Sequence, residues 1–320
     1  MKTILLAWLA VLMAGTALQA AGAECIVPSK PGGAMDLTCK LAQKGLQGLP
    51  EHGAAAMRIS YLPGGIGAVA WHALVSQRRA EPDTLVAFSG GSLLNLAQGK
   101  FGKAKADDVR WVAALGADYG MIAVRADSPY HTLGELVTAL KHHPDQVLVG
   151  VSGTIGSQDW LKIALVVKAA GVDPKVLRFV ALEGGGEAFT ALHAGFVQVV
   201  SGDASEATLY SSGGSTRVLA VLSEQRLPGV LAKVPTAREQ GYDVVWPVIR
   251  GVWMGPQVSE ADYRKWVGAF DRVLASPQFA QTRAGYGLYP FSLTGPALTA
   301  YVRKAVDDYG RRASELGLVR

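Results

Sequence analysis

Short apolar and β-branched runs alternate with longer amphipathic segments along this chain. Residues 25–28, 57–62, 85–89, 109–115, 121–124, 147–151, 177–180, 197–201 and 218–221 have the length and composition of strands. Between and after them, 36–47, 66–77, 132–142, 157–170, 187–194, 259–275, 277–286 and 296–314 carry helical spacing, with one more apolar strand at 250–255. This alternation predicts parallel or mixed sheets covered by helices on both faces, an α/β fold. The pattern restarts after Arg125-Ala126-Asp127-Ser128-Pro129 and becomes turn-rich from Ser223. The chain is therefore read as two lobes, 24–124 with 223–320 and 125–222, with a ligand cleft between them.

Residues 1–23 change the compartment. Lys2 precedes an apolar run at 4–17, and Ala21-Gly22-Ala23 precedes a cut before Glu24, the pattern of a cleaved signal peptide. The apolar stretch is shorter than the ~20 residues of a membrane span. Glu24 stands where a lipid-attachment signal before Cys25 requires a small residue. The two cysteines, Cys25 and Cys39, pair most simply as one disulfide in an oxidising compartment, the alternative being two buried thiols. Two cysteines without CxxC spacing or nearby histidines do not make a metal site.

Removing the signal takes Lys2 from 31 basic residues and none of the 26 acidic ones, so the mature net charge is +4. The basic residues are scattered and lack interleaved aromatics, which argues against nucleic acid as a partner. Catalytic signatures fail in turn. Gly150-Val151-Ser152-Gly153-Thr154 misses the last glycine of a nucleophile elbow. HExxH and GxxxxGK[ST] do not occur, and the six histidines show no metal spacing beyond His142-His143 at a helix end. Gly65-Ile66-Gly67-Ala68-Val69-Ala70 fits GxGxxA, but the acidic residues Glu81 and Asp83 precede the next strand, so a dinucleotide site is not expected.

Four glycine turns stand at strand-to-helix junctions: 30–36, 63–67, 152–157 and 183–187. Such turns expose the unpaired first N–H groups of a helix and can cradle an anion, although any one of them can equally serve only backbone geometry. Ser152, Thr154 and Ser157 add hydroxyls to one turn and Lys30 a cation to another. Ser89-Gly90-Gly91-Ser92 ends a further strand in the same donor-rich style. Asp36 is read as a helix N-cap shaping its loop.

The stretch from Glu24 to Lys40, with Pro63-Gly64-Gly65-Ile66-Gly67, Ser152-Gly153-Thr154-Ile155-Gly156-Ser157, the Gly184 turn, Val234-Pro235-Thr236-Ala237-Arg238-Glu239-Gln240-Gly241 and Gly251-Val252-Trp253-Met254-Gly255-Pro256, resembles the TctC proteins of the Bug family of periplasmic solute receptors. The resemblance implies a type II periplasmic binding protein fold, no catalysis and no cofactor. It implies a carboxylate ligand, citrate first with dicarboxylates or other organic acids as alternatives, delivered to the membrane components of a tripartite tricarboxylate transporter. A monomer is expected; a sensor role toward a membrane kinase and, least favoured, a secreted carboxylate-processing enzyme are the other readings. Carried onto this chain, the carboxylate seat falls to Gly32, Gly33, Ala34, Met35 and Asp36, faced by Gly153, Thr154 and Ser157, with contacts near Gly184 and Asp203. Ser89 and Gly91 join this set as donors, and Lys30 and Arg250 as candidate cations. Leu182-Glu183-Gly184 stands where many relatives have Tyr-Lys-Gly, so no basic contact is carried over there.

Overall fold

The computed structural model describes residues 22–49, 57–211, 213–315 and 317–318; residues 1–21 of the expected signal peptide lie outside them. In chain order, β1 (Glu24–Val27) leads to α1 (Ala34–Leu46), β2 (Arg58–Tyr61), α2 (Ala68–His72), β3 (Thr84–Ser89), α3 (Gly90–Ala97) and β4 (Arg110–Arg125). There follow α4 (Leu133–His142), β5 (Leu148–Ser152), α5 (Gln158–Ala169), β6 (Arg178–Leu182), α6 (Gly185–His193), β7 (Val199–Asp203), α7 (Ala204–Tyr210) and β8 (Thr216–Leu222). β9 (Pro247–Met254), α8 (Glu260–Ala275), α9 (Pro277–Gly285), β10 (Leu293–Thr294) and α10 (Gly295–Glu315) complete the chain.

Local chemistry sets many of these boundaries. Thr132 caps α4 by accepting the Glu135 N–H at 3.1 Å, and the Glu135 carboxylate returns to the Thr132 N–H at 3.2 Å. Leu133, Leu136, Val137 and Leu140 then fall on one face of α4 and are buried. Two helices were not anticipated. α3 begins on the Gly90-Gly91 pair, which reads as loop in sequence, and α7 is a short helix directly after β7.

β4 organises both lobes. β2, β1 and β3 run parallel, β9 joins β3 antiparallel, and β9 pairs along β4 from Arg110↔Met254 to Tyr119↔Pro247. From Gly120 onward β4 exchanges this partner for β7 on one side and β8 on the other, and β5 and β6 extend the sheet parallel to β7. The strands expected at 109–115 and 121–124 are thus one strand. The intervening Gly116-Ala117-Asp118-Tyr119-Gly120 breaks the apolar pattern, yet its backbone stays paired with β9 as far as Tyr119, past a register shift between Ala114 and Gly116.

The change of partner comes at Tyr119–Gly120, ahead of the expected 124/125 boundary. The return crossing comes at β9, beyond the expected 222/223 boundary. Residues 223–246 pack on the second lobe: Val221 bridges Thr236, Gln240 bonds the Leu133 N–H and the Leu219 carbonyl, and Ala237, Val244 and Trp246 enter its core. Turn-rich sequence marked the end of regular structure there, while apolar burial kept the segment on its lobe.

Each sheet has an apolar core on both faces. In the first lobe, Trp71, Phe88, Trp111 and Trp253 fill one side; Leu41, Val252 and Phe270 fill the other, beside a Cys25–Cys39 disulfide with a Cα–Cα distance of 5.7 Å. In the second lobe, Leu136, Val149 and Ile163 lie on one side and Met121, Phe189 and Val221 on the other. α10 spans the junction: Leu298 and Val302 enter the first lobe's core, while Tyr309 lies 6.2 Å from the Trp246 ring. Among the described residues no helix is long and apolar enough to cross a membrane.

Candidate functional site

The C-terminal ends of β1, β3, β5, β6 and β7 point into one cleft, where the chain leaves each strand for a helix. A cavity of about 70 Å³ lies there. Its lining draws Pro28, Gly33, Ala34, Met35, Ile66, Ser89, Gly91 and Asn95 from the first lobe, and Ser152, Ser157, Gln158, Asp159, Glu183, Gly184, Asp203 and Glu206 from the second. Arg250 of β9 stands between the two sets.

Gly33 is the N-cap of α1, in place of the expected Asp36. Asp36 sits inside the first turn, where its carboxylate reaches back to the Gly32 N–H at 2.8 Å and also takes Lys40 at 2.8 Å and the Tyr61 hydroxyl at 3.0 Å. It stiffens the turn from behind and does not line the cavity. α1 enters the cleft with first-turn N–H groups that have no carbonyl partner within the helix.

The opposite lobe closes on this turn. Tyr210 donates to the Gly32 carbonyl at 2.8 Å, and the Lys30 N–H donates to the Glu183 carbonyl at 3.1 Å. The Glu206 Oε1 accepts the Ala34 N–H at 2.8 Å, while its Oε2 accepts the Asp203 N–H at 3.1 Å. A carboxyl group from the second lobe thus caps the N-terminus of α1. On the other flank, Gln98 and Lys100 reach the carbonyls of Gly156 and Ile155 at 2.8 and 3.1 Å. Gly153 has φ +93°, and a Cβ there would lie 2.1 Å from Ile66 Cδ1. Ile66 is itself the one described non-glycine residue with positive φ, a conformation that costs a β-branched side chain energy.

The cavity floor is a buried charge network. Lys162, fully buried, donates to Asp159 at 2.7 Å, Asp203 at 2.6 Å and the Gly202 carbonyl at 2.9 Å. Arg250 bridges Asp118, at 3.0 Å, and Asp203. Ser205 holds the Asp118 carboxylate through its hydroxyl at 2.6 Å. Burial opposes charge on every carboxyl here. Arg250 and Lys162 offset it at Asp203 and hold that group below the usual aspartate range. At Asp118 and Asp159 burial prevails over the nearby cation and the pKa rises. Glu206 is pushed up to about 8 by burial, reinforced by the charges of Asp203 and Asp159.

Of the anticipated residues, Gly33, Ala34, Met35, Ser89, Gly91, Ser157, Gly184, Asp203 and Arg250 line the cavity. Gly32, Asp36, Gly153 and Thr154 do not; the first three shape the turns behind it, and Thr154 is exposed. Lys30 is also outside, because its ammonium, with the side chain 48% exposed, pairs with Glu187 at 2.7 Å. Arg250 faces the cavity but already serves Asp118 and Asp203. The residues not anticipated include Ile66, Asn95, Gln158, Asp159, Glu183 and Glu206. One signal for Glu206 was present: Asp203-x-x-Glu206 is a capping-box spacing directly after an apolar strand.

The profile described as "Tripartite tricarboxylate transporter family receptor" matches residues 77–318, a span that starts after the α1 turn. A curated relative, "UPF0065 protein in gbd 5'region" of Cupriavidus necator, is 23% identical over 214 residues, 67% of this chain; the match spans 63% of that relative's length. Among solved structures, the periplasmic binding protein BugD superposes with a TM-score of 0.82 at 20% identity, covering 93% of this chain and 98% of BugD. A Rhodopseudomonas palustris protein solved with adipate gives 0.81 at 20% identity over 94% of this chain and 98% of that one. MatC from R. palustris, with bound malate, gives 0.76 at 21% identity over 91% and 98%. At these identities the structures establish a shared fold, that of two-lobed periplasmic binding proteins.

Proposed function

The chain belongs to the tripartite tricarboxylate transporter receptor family, and from that membership we propose that it is an exported receptor for a small organic acid. The acid binds between the lobes, and the closed form is handed to the membrane components of a tripartite tricarboxylate transporter. The supporting observation is the contact between Glu206 and Ala34: a carboxylate crosses the cleft and rests on a first-turn N–H of α1. A ligand carboxylate has the same shape and, ionised where Glu206 is largely protonated, takes over that seat, helped by the helix dipole. Bridging groups from both lobes then favour the shut state.

Citrate, the acid first expected, is the most demanding candidate. Its three carboxylates would meet Asp159, Glu183, Asp203 and Glu206 with Arg250 as the cation in the lining. The shut cavity of about 70 Å³ is under half the ~150 Å³ that admits benzene, so citrate requires wider opening than an acid of three to five carbons. Calorimetric titration of the mature protein with malate, succinate, adipate, glutamate and citrate tests the reading. Saturable heat with at least one acid is expected; none with any of them refutes it.

A further inference from the structure

Three buried side-chain oxygens in the cavity wall have no hydrogen-bond partner among the described residues: Asn95 Oδ1, Gln158 Oε1 and Glu183 Oε2. All are acceptors. The orientation of the two amides is fixed by their other ends, since Asn95 Nδ2 donates to the Ile66 carbonyl at 3.3 Å and Gln158 Nε2 donates to Asp203 at 3.2 Å. Flipping either would set oxygen against oxygen. Asn95 is only 1% exposed, so bulk water does not compensate its oxygen, and an unpaired buried acceptor costs about 1–3 kcal/mol. The charges point the same way. Of the four carboxyl groups in the lining, Asp159 and Asp203 are paired with Lys162, Asp203 also with Arg250, and Glu206 is kept protonated below about pH 8, so Glu183 is the one without an ion pair among the described residues.

We propose that the ligand of this cleft carries a protonated amine beside its carboxylate, so that it is a small zwitterionic acid whose ammonium is received by Asn95, Gln158 and Glu183. This rests on the receptor reading above and narrows its ligand class. The carboxylate goes to the α1 turn, and the ammonium supplies three donors and a positive charge to the three unpartnered acceptors.

Matched pairs that differ by one amine test it: alanine against propionate, aspartate against succinate and glutamate against glutarate, each titrated calorimetrically into the mature protein. The amino member of at least one pair binds tighter by about tenfold or more, the worth of a charge-assisted hydrogen bond. Equal or tighter binding of the amine-free member in every pair that binds overturns the inference and leaves the receptor reading standing. No binding by either member of any pair, nor by malate, adipate or citrate, overturns both. In Glu183→Gln and in Asn95→Leu the ratio of the paired affinities falls toward one; a ratio unchanged in both variants removes these residues from ammonium recognition.

Discussion

Glu206 of the second lobe is bound to Ala34 of the first, its Oε1 2.8 Å from the Ala34 nitrogen, with its second oxygen held by the backbone of Asp203. The protein therefore closes on its own carboxylate. On the proposed function, a ligand acid replaces this intramolecular contact, which lowers its apparent affinity.

Glu206→Ala removes this contact. Below its pKa of about 8 Glu206 is protonated, and an uncharged hydrogen bond contributes about 0.5–1.5 kcal/mol, so the ligand-free variant shifts toward the open form, and its radius of gyration in small-angle scattering exceeds that of the wild type. Identical scattering would show that Glu206 does not hold the lobes.

The raised pKa of Glu206, about 8 against an ordinary 4.5, sets a pH dependence. The folded protein keeps a proton that the unfolded chain releases between those values, so stability falls as pH rises from about 4.5 to 8 and levels off above. Asp118 and Asp159, raised by burial, act with the same sign; Asp203, lowered, acts oppositely on the acid side of 3.8. Calorimetric melting at pH 5.5 and 8.0 should show the lower Tm at pH 8.0, with a smaller difference in Glu206→Gln.

Lys162→Met leaves Asp159 and Asp203 buried without one of their cations. Removing one partner of a buried pair costs about 3–5 kcal/mol. Urea unfolding should register a loss of that order; a loss under 1 kcal/mol would mean that the carboxyls simply take up protons.

Gly153→Ala places a Cβ where Ile66 now packs, at a backbone angle unsuited to an L side chain. The strain falls at the end of β5, where Gly153 meets Ile66 across the cleft. Ligand affinity should drop by about tenfold or more and denaturant stability by about 1–3 kcal/mol; unchanged affinity would separate this flank from closure.

Reduction of Cys25–Cys39, which closes a short loop around the α1 turn, should cost about 3 kcal/mol on the chain-entropy account. A lowered Tm in the presence of a reductant checks it, and an unaltered Tm would assign the fixing of the turn to Asp36 and its partners.

The α/β pattern and the positions of the glycine turns were legible because both rest on local rules: apolar periodicity and the need for positive φ or close approach at a strand-to-helix junction. The charge of the cleft was not. Asp159 and Lys162 lie three residues apart on one helix, with nothing local to mark them as buried; their burial comes from β7 and Asp203, more than 40 residues away. Lys30 carries charge in the right turn, yet Glu187, from a helix in the other lobe, claims it. Asn95 and Gln158 belong to no motif, and only the placement of α3 against α5 gives their amides a meaning.

β4 belongs to both sheets at once. Neither lobe is therefore a transplantable module: cutting the chain at the hinge would strip a central strand from one sheet or the other. Changes of ligand in such a protein have to arise in the loops at the strand ends, because exchanging whole lobes between relatives would tear the ribbon that joins them.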